Sequence, residues 1–258
     1  MQQYCSEAIV LHHIDYGEAD RIVAFFSRDQ GLFKGFARSA RKSRKRFGTA
    51  LEPFSQVRIH WTAPTRGELA TLQEAELLDL RTGLRRNVNP LALAAYGCEL
   101  VEALLGEKQA HPEVFDLLRA FLDHLADHGL SREARLLLEL RMLVLAGYAP
   151  HLLHCAACNG SLPDEPVAFV PARGGALCPR CAAATDMLRV SPMTLGTLAR
   201  SLKSRVTLFE GFRFSERTLQ EGRAVLAAAL APHLHRPLKS LSFMEQILAG
   251  QARVAAIR

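Results

Sequence analysis

Four of the six cysteines in this 258-residue chain fall into two C-x-x-C pairs, Cys155-Ala-Ala-Cys158 and Cys178-Pro-Arg-Cys181, separated by 19 residues. Each C-x-x-C turn aims two thiolates at one point, and two such turns at this spacing complete a tetrahedron around Zn²⁺. Cysteines kept as small core hydrophobes have no reason to occur in two equal pairs. Four thiolates leave no coordination position for water or substrate, so the expected cofactor is one structural Zn²⁺. His154 adjoins Cys155 and reads as a neighbour of the site. A zinc deaminase would combine H-x-E with P-C-x-x-C. His111-Pro-Glu113 supplies the first part, but in the second cysteine pair proline follows Cys178, and the other pair would have no task. No G-x-S-x-G, P-loop, G-x-G-x-x-G or H-E-x-x-H occurs. His12 and His13 are adjacent in a strand and point to opposite faces. The sequence offers no active site, and no enzymatic activity is expected.

The second concentration of chemistry is charge. Arg38, Arg41, Lys42, Arg44, Lys45 and Arg46 put six basic residues into the nine-residue stretch RSARKSRKR, in a chain of formal charge +6. Without them, basic and acidic residues balance at 26 each. Blocks of like charge stay solvated and serve as interaction surfaces, so an exposed loop with little packing of its own is expected here. The N-terminus lacks a basic region followed by an apolar run, and LLLELRMLVLAG from Leu136 carries Glu139 and Arg141 and is too short to span a bilayer. With unpaired Cys5 and Cys98 as well, a cytoplasmic chain without a membrane partner is expected.

These groups must be positioned by two kinds of element. From Ala8 to about Leu78 the pattern is of five short strands. Gln56–Trp61 alternates cleanly, with Val57, Ile59 and Trp61 on one face and Arg58 and His60 on the other. So many strands in about 80 residues predict a small, strongly bent sheet or barrel. Trp61 shares its face with Val57 and Ile59 and belongs to the core, whereas Phe47, at the end of the basic block, is the aromatic residue better placed to meet a base. Beyond Asp79 the period becomes helical. Asn89-Pro90, Pro112, Ser131, Ser191-Pro192, Ser215 and Ser242 open successive helices, the last with the capping box Ser242-Phe-Met-Glu245. The fold class is α+β, with residues 1–79 as a β domain and 80–258 as an α-helical domain holding a zinc module at about 151–185.

Several segments together resemble one family. EAIVLHHIDYGEADRIV from Glu7, GLFKGFAR from Gly31, the basic block running into ALEPF from Ala50, and GELATLQEAE from Gly67 are similar to the N-terminal domain of the bacterial DNA repair family RecO. The helices with their inserted cysteine module resemble the rest of that family in arrangement. The resemblance implies an N-terminal OB-fold and a recombination mediator without catalytic turnover. Such a protein binds single- and double-stranded DNA, anneals complementary strands and, with RecR, helps RecA load onto strands covered by single-strand-binding protein (SSB). In an OB-fold the basic block would lie beside the binding groove, with Arg58, His60 and Arg66 extending the surface. An RNA-binding or ribosome-associated zinc protein would show the same basic loop and cysteines.

Overall fold

The computed structural model describes residues 3–64, 67–182, 188–244 and 246–247. The chain separates into two compact units, one running to Leu130 and resuming at Leu238, the other spanning Ser131–Pro237.

The first unit is built on five strands: β1 (Gln3–Tyr16), β2 (Asp20–Ser27), β3 (Gly31–Ala37), β4 (Gln56–Thr62) and β5 (Ala70–Asp79). They close in the order β1-β2-β3-β5-β4, with β4 returning to β1 and β3 parallel to β5. This is the five-stranded Greek-key barrel of an OB-fold. Alternation drives the closure: Val57, Ile59 and Trp61 point inward while Arg58 and His60 are exposed. Tyr4, Trp61, Phe33 and Phe25 stack in turn, with centroid separations of 4.4, 4.9 and 5.5 Å. Trp61 is therefore a core residue, as its alternation predicts. A bulge between Val10 and His12 re-aims the second half of β1. His12 then reaches Glu102 at 3.1 Å, while His13 lies 3.1 Å from the Leu51 carbonyl.

Two helices fold with the barrel, α1 (Val88–Leu104) and α2 (Pro112–His128). The cap of α1 is Asn87, two residues before the expected Asn89, and its side chain accepts from the Asn89 N–H. Pro112 opens α2 and Gly129 ends it, as predicted. Phe115 of α2 meets Phe26 on the outer face of the barrel at 5.9 Å. The α1–α2 connection lies on β3, where Lys108 N–H donates to the Leu32 carbonyl (2.9 Å). Gly31 allows this approach, since a Cβ there would sit 1.9 Å from the Gln109 carbonyl oxygen. Helical residues at 239–244 begin before Ser242, whose hydroxyl donates back to the Lys239 carbonyl. The first amides of that turn, Lys239 and Ser240, instead donate to the Glu99 carboxylate at 3.1 and 2.8 Å. Glu245 of the expected capping box lies outside the described residues.

The second unit contains α3 (Arg132–Leu145), a small sheet of β6 (Val167–Val170), β7 (Gly175–Leu177) and β8 (Leu188–Val190), then α4 (Pro192–Ser201) and α5 (Glu216–Leu230). Ser131, Ser191 and Ser215 cap the three helices as predicted, accepting from the N–H groups of Ala134, Thr194 and Thr218. Among the described residues no helix is long and apolar enough to cross a membrane.

Candidate functional site

Residues 38–55 join β3 to β4, and they fold onto the barrel instead of hanging from it. Ala40, Phe47, Ala50 and Leu51 enter the barrel core. The backbone is fixed at both ends of the basic stretch: Arg41 N–H donates to the Ala19 carbonyl (3.0 Å), Ser39 N–H to Asp20 Oδ1 (2.6 Å), and Ala75 N–H to the Arg46 carbonyl (2.8 Å). Along this stretch all six basic side chains are exposed. The block is thus a charged surface on a folded segment, which corrects the expectation of a loop with little packing. Phe47 is only 2% exposed and belongs to the core, so it does not meet bases. Its segment is an irregular run of turns, with no period from which its direction could be read.

Two of the six cations are engaged within the protein. Arg41 lies 3.6 Å from Asp15 and donates to the Glu18 carbonyl (3.3 Å). Arg46 donates to the Arg38 carbonyl (2.8 Å) and its guanidinium covers the Phe47 ring at 5.0 Å. The side chains of Arg38, Lys42, Arg44 and Lys45 have no partner among the described residues. Asp15 stays ionised and offsets part of this field beside Arg41. A hydrogen bond from Arg21 (3.0 Å), opposed by burial and reinforced by the charge of Arg41, holds its carboxyl below the usual carboxylate range.

Arg58 and His60 stand exposed on β4, with Arg58 paired to Glu76 (2.8 Å) and His60 Nε2 3.8 Å from Cys5 Sγ. The block reaches this neighbourhood through Arg46, whose carbonyl is bound by Ala75, next to Glu76 in β5. Arg66 lies outside the described residues. The sequence reading missed two aromatic side chains, Tyr16 and Phe36, which stand on the outer face of the barrel with rings 6.0 Å apart, edge to face. The available signal was the period-two run Lys34-x-Phe36-x-Arg38, opposite the inward Phe33 and Ala37.

In the second unit, Cys155, Cys158, Cys178 and Cys181 bring their four sulfur atoms within 4.8 Å of one another. Two tight turns aim them. Asn159 N–H donates to the Cys155 carbonyl (2.8 Å), and Cys181 N–H to the Cys178 carbonyl (3.0 Å). The Cys158 and Cys178 sulfurs are 3.8 Å apart, and two ligands ~2.3 Å from a tetrahedral centre would be ~3.8 Å apart. Burial alone would raise the Cys155 thiol, but peptide N–H groups of Cys178, Cys158 and Ala157 bring it down to about 6. Cys181, hydrogen-bonded to the Cys178 and Cys158 sulfurs, is pushed up to about 12. The set thus resists carrying four negative charges unaided, and a divalent cation removes that obstacle. This is a four-cysteine group positioned to hold a metal ion, and its ligand type and geometry fit Zn²⁺.

An OB barrel with a basic inter-strand surface, followed by helices and a four-thiolate module, defines the architectural class of this chain. The family models described as Recombination protein O N terminal and Recombination protein O C terminal match residues 1–81 and 85–242. A protein of Syntrophotalea carbinolica named DNA repair protein RecO is 58% identical over 258 residues, covering 100% of both chains. Its namesake in Pelobacter propionicus is 38% identical over 93% of this chain and 96% of its own. That of Geobacter metallireducens is 35% identical over 96% of this chain and 99% of its own. The chain belongs to the RecO family.

Proposed function

We propose that this chain is a DNA-binding recombination mediator without catalytic turnover. Residues 1–79 form the DNA-binding domain, and residues 80–258 form the helical domain with a structural Zn²⁺ at Cys155, Cys158, Cys178 and Cys181. The barrel binds single- and double-stranded DNA and anneals complementary strands. With RecR, it helps RecA load onto SSB-covered strands. The observation that carries this reading is the exposure of six cations on a segment docked against the β1–β2 turn of an OB barrel. Loops and strands at that end of the fold are where OB-folds take oligonucleotides. Phosphate contacts from Arg38, Lys42, Arg44 and Lys45 release counterions without reading sequence. Arg41, Arg46 and Arg58 join them by exchanging internal partners for phosphate, and His60 extends the same surface. Membership of the RecO family supports DNA over RNA as the ligand.

Two measurements on the purified protein test this. Complementary oligonucleotides, bare or covered with SSB, should anneal faster with the protein present and without ATP. Replacing Arg44, Lys45 and Arg46 together with Ala should lower single-strand affinity similarly across sequences. The same change should reduce the slope of log K against log salt by up to about 2, at roughly 0.7 per contact. Equal affinity and slope in the two proteins would place DNA binding elsewhere, and stronger binding of matched RNA would favour an RNA-binding protein instead.

A further inference from the structure

We infer that the outer face of β1–β3 at Ile14, Tyr16, Ile22 and Phe36 is a base-stacking platform that makes the barrel favour single strands over duplex. This rests on the proposed DNA binding and adds which surface meets the bases. The face is apolar where it should not be. Ile14 and Tyr16 are 59% and 56% exposed, and the register sets Ile14 against Ile22 and Ile22 against Phe36, making one row across three strands. Tyr16 stands beside that row with its ring at 80° to Phe36, an arrangement that leaves a ring face open. Elsewhere the same outer surface is covered, since Phe26 meets Phe115 of α2 and His12 is held by Glu102 of α1. The cover stops at His12, and the bare row begins two residues later.

Charge complementarity names the occupant. Along β3 the outward positions Lys34 and Phe36 lie about 6.6 Å apart, with Lys34 held in an exposed pair with Glu107 (3.5 Å), and Arg38, which has no internal partner, follows just past the end of the strand. The β1–β2 turn that follows Tyr16 is tied to the basic block through Ala19 and Asp20, and Asp15 is paired with Arg41 and with Arg21, which also serves Glu52. An apolar row bordered by cations matches an unpaired base bordered by its phosphates. An apolar protein partner would have to desolvate Arg38 and the unpaired cations of the adjoining block without compensation. Every base presents a π-face, so stacking here adds affinity without sequence preference. Duplex bases are already stacked and covered, so the rings cannot reach them, while the basic block contacts duplex phosphates as before. The platform therefore supplies the difference between single and double strands.

The test measures affinity at several salt concentrations for three ligands: a single-stranded oligothymidylate, an abasic oligomer of the same length, and a duplex. The proteins are the parent, Tyr16→Ala, Phe36→Ala and the double variant, with circular dichroism as the folding control. The double variant should bind the oligothymidylate roughly 5- to 150-fold more weakly, as the loss of a stacked base predicts. Its salt slope, abasic binding and duplex binding should match the parent's. Phe36→Leu, which keeps apolar bulk and loses the ring, guards against a folding artefact and should behave like Phe36→Ala. A folded double variant that binds the oligothymidylate as tightly as the parent overturns the platform alone. Equal losses on all three ligands also overturn it, because the rings would then act through structure or backbone contact. A parent that binds no DNA in a salt-dependent way overturns the DNA-binding reading itself.

Discussion

Glu221 shows how one carboxylate can hold a helix start in place. It accepts from the Ser191 N–H (3.0 Å) and hydroxyl (2.7 Å) at the cap of α4, and Arg217 donates to its other oxygen at 2.8 Å. Burial would raise its pKa, but hydrogen bonding from Thr194, Ser191 and Arg217 outweighs that and holds it at about 2. A carboxyl with a folded-state pKa below its unfolded value stabilises the fold above the unfolded pKa, near 4.3. That contribution is lost as pH falls towards 2. Glu221→Gln should therefore destabilise the protein by about 1.5–3 kcal/mol at pH 7, the range of hydrogen bonds to charged groups. The gap between variant and parent should narrow as pH drops from about 5 to 2. Denaturant melts across that range check this, and a gap independent of pH would show that the carboxylate charge is not what matters.

The connection between β3 and β4 separates what pattern reveals from what it hides. Its charge was legible because composition needs no geometry. Its packing was not, because Ala40, Phe47, Ala50 and Leu51 reach the core through turns and a short 3-10 segment, where no period links sequence position to direction. The connection should thus respond oppositely to two kinds of change. Phe47→Ala should destabilise the barrel by about 3 kcal/mol or more, as for other buried phenylalanines, while the exposed Arg44 and Lys45, whose side chains have no internal partner, can be replaced together with little effect on melting. Thermal melts of both variants decide this, and a stable Phe47→Ala protein would contradict the packed connection. Strands and caps were easier to read. Val57, Ile59 and Trp61 alternate over a regular strand, and Ser131, Ser191 and Ser215 cap helices through local hydrogen bonds. Glu99 escaped because it caps the turn at Lys239 from 140 residues away. The cysteine site was legible since two spaced pairs define it, whereas Tyr16 and Phe36 meet only once the barrel has folded.

Across the whole chain, the groups assigned to DNA and those able to hold metal fall in different compact units. The basic block and the exposed row at Ile14, Tyr16 and Phe36 belong to the unit that runs to Leu130, and the four cysteines belong to Ser131–Pro237. The second unit has apolar support besides the cysteines, with Leu137, Leu138, Leu198 and Leu226 buried on α3, α4 and α5. Metal binding should then act on its stability and not on DNA affinity. Cys178→Ser should lower the bound zinc from one per chain and reduce the melting temperature, because ligand binding to the folded state contributes folding free energy. At about 2–4 °C per kcal/mol for a chain of this size, a loss of several degrees is expected. Single-strand affinity and its salt slope, measured well below the new midpoint, should stay at the parent's values. Unchanged zinc content in Cys178→Ser would reject the ligand assignment. A folded, zinc-free variant that had lost DNA affinity would show instead that the metal module communicates with the barrel, and the metal would then have a functional role beyond stability.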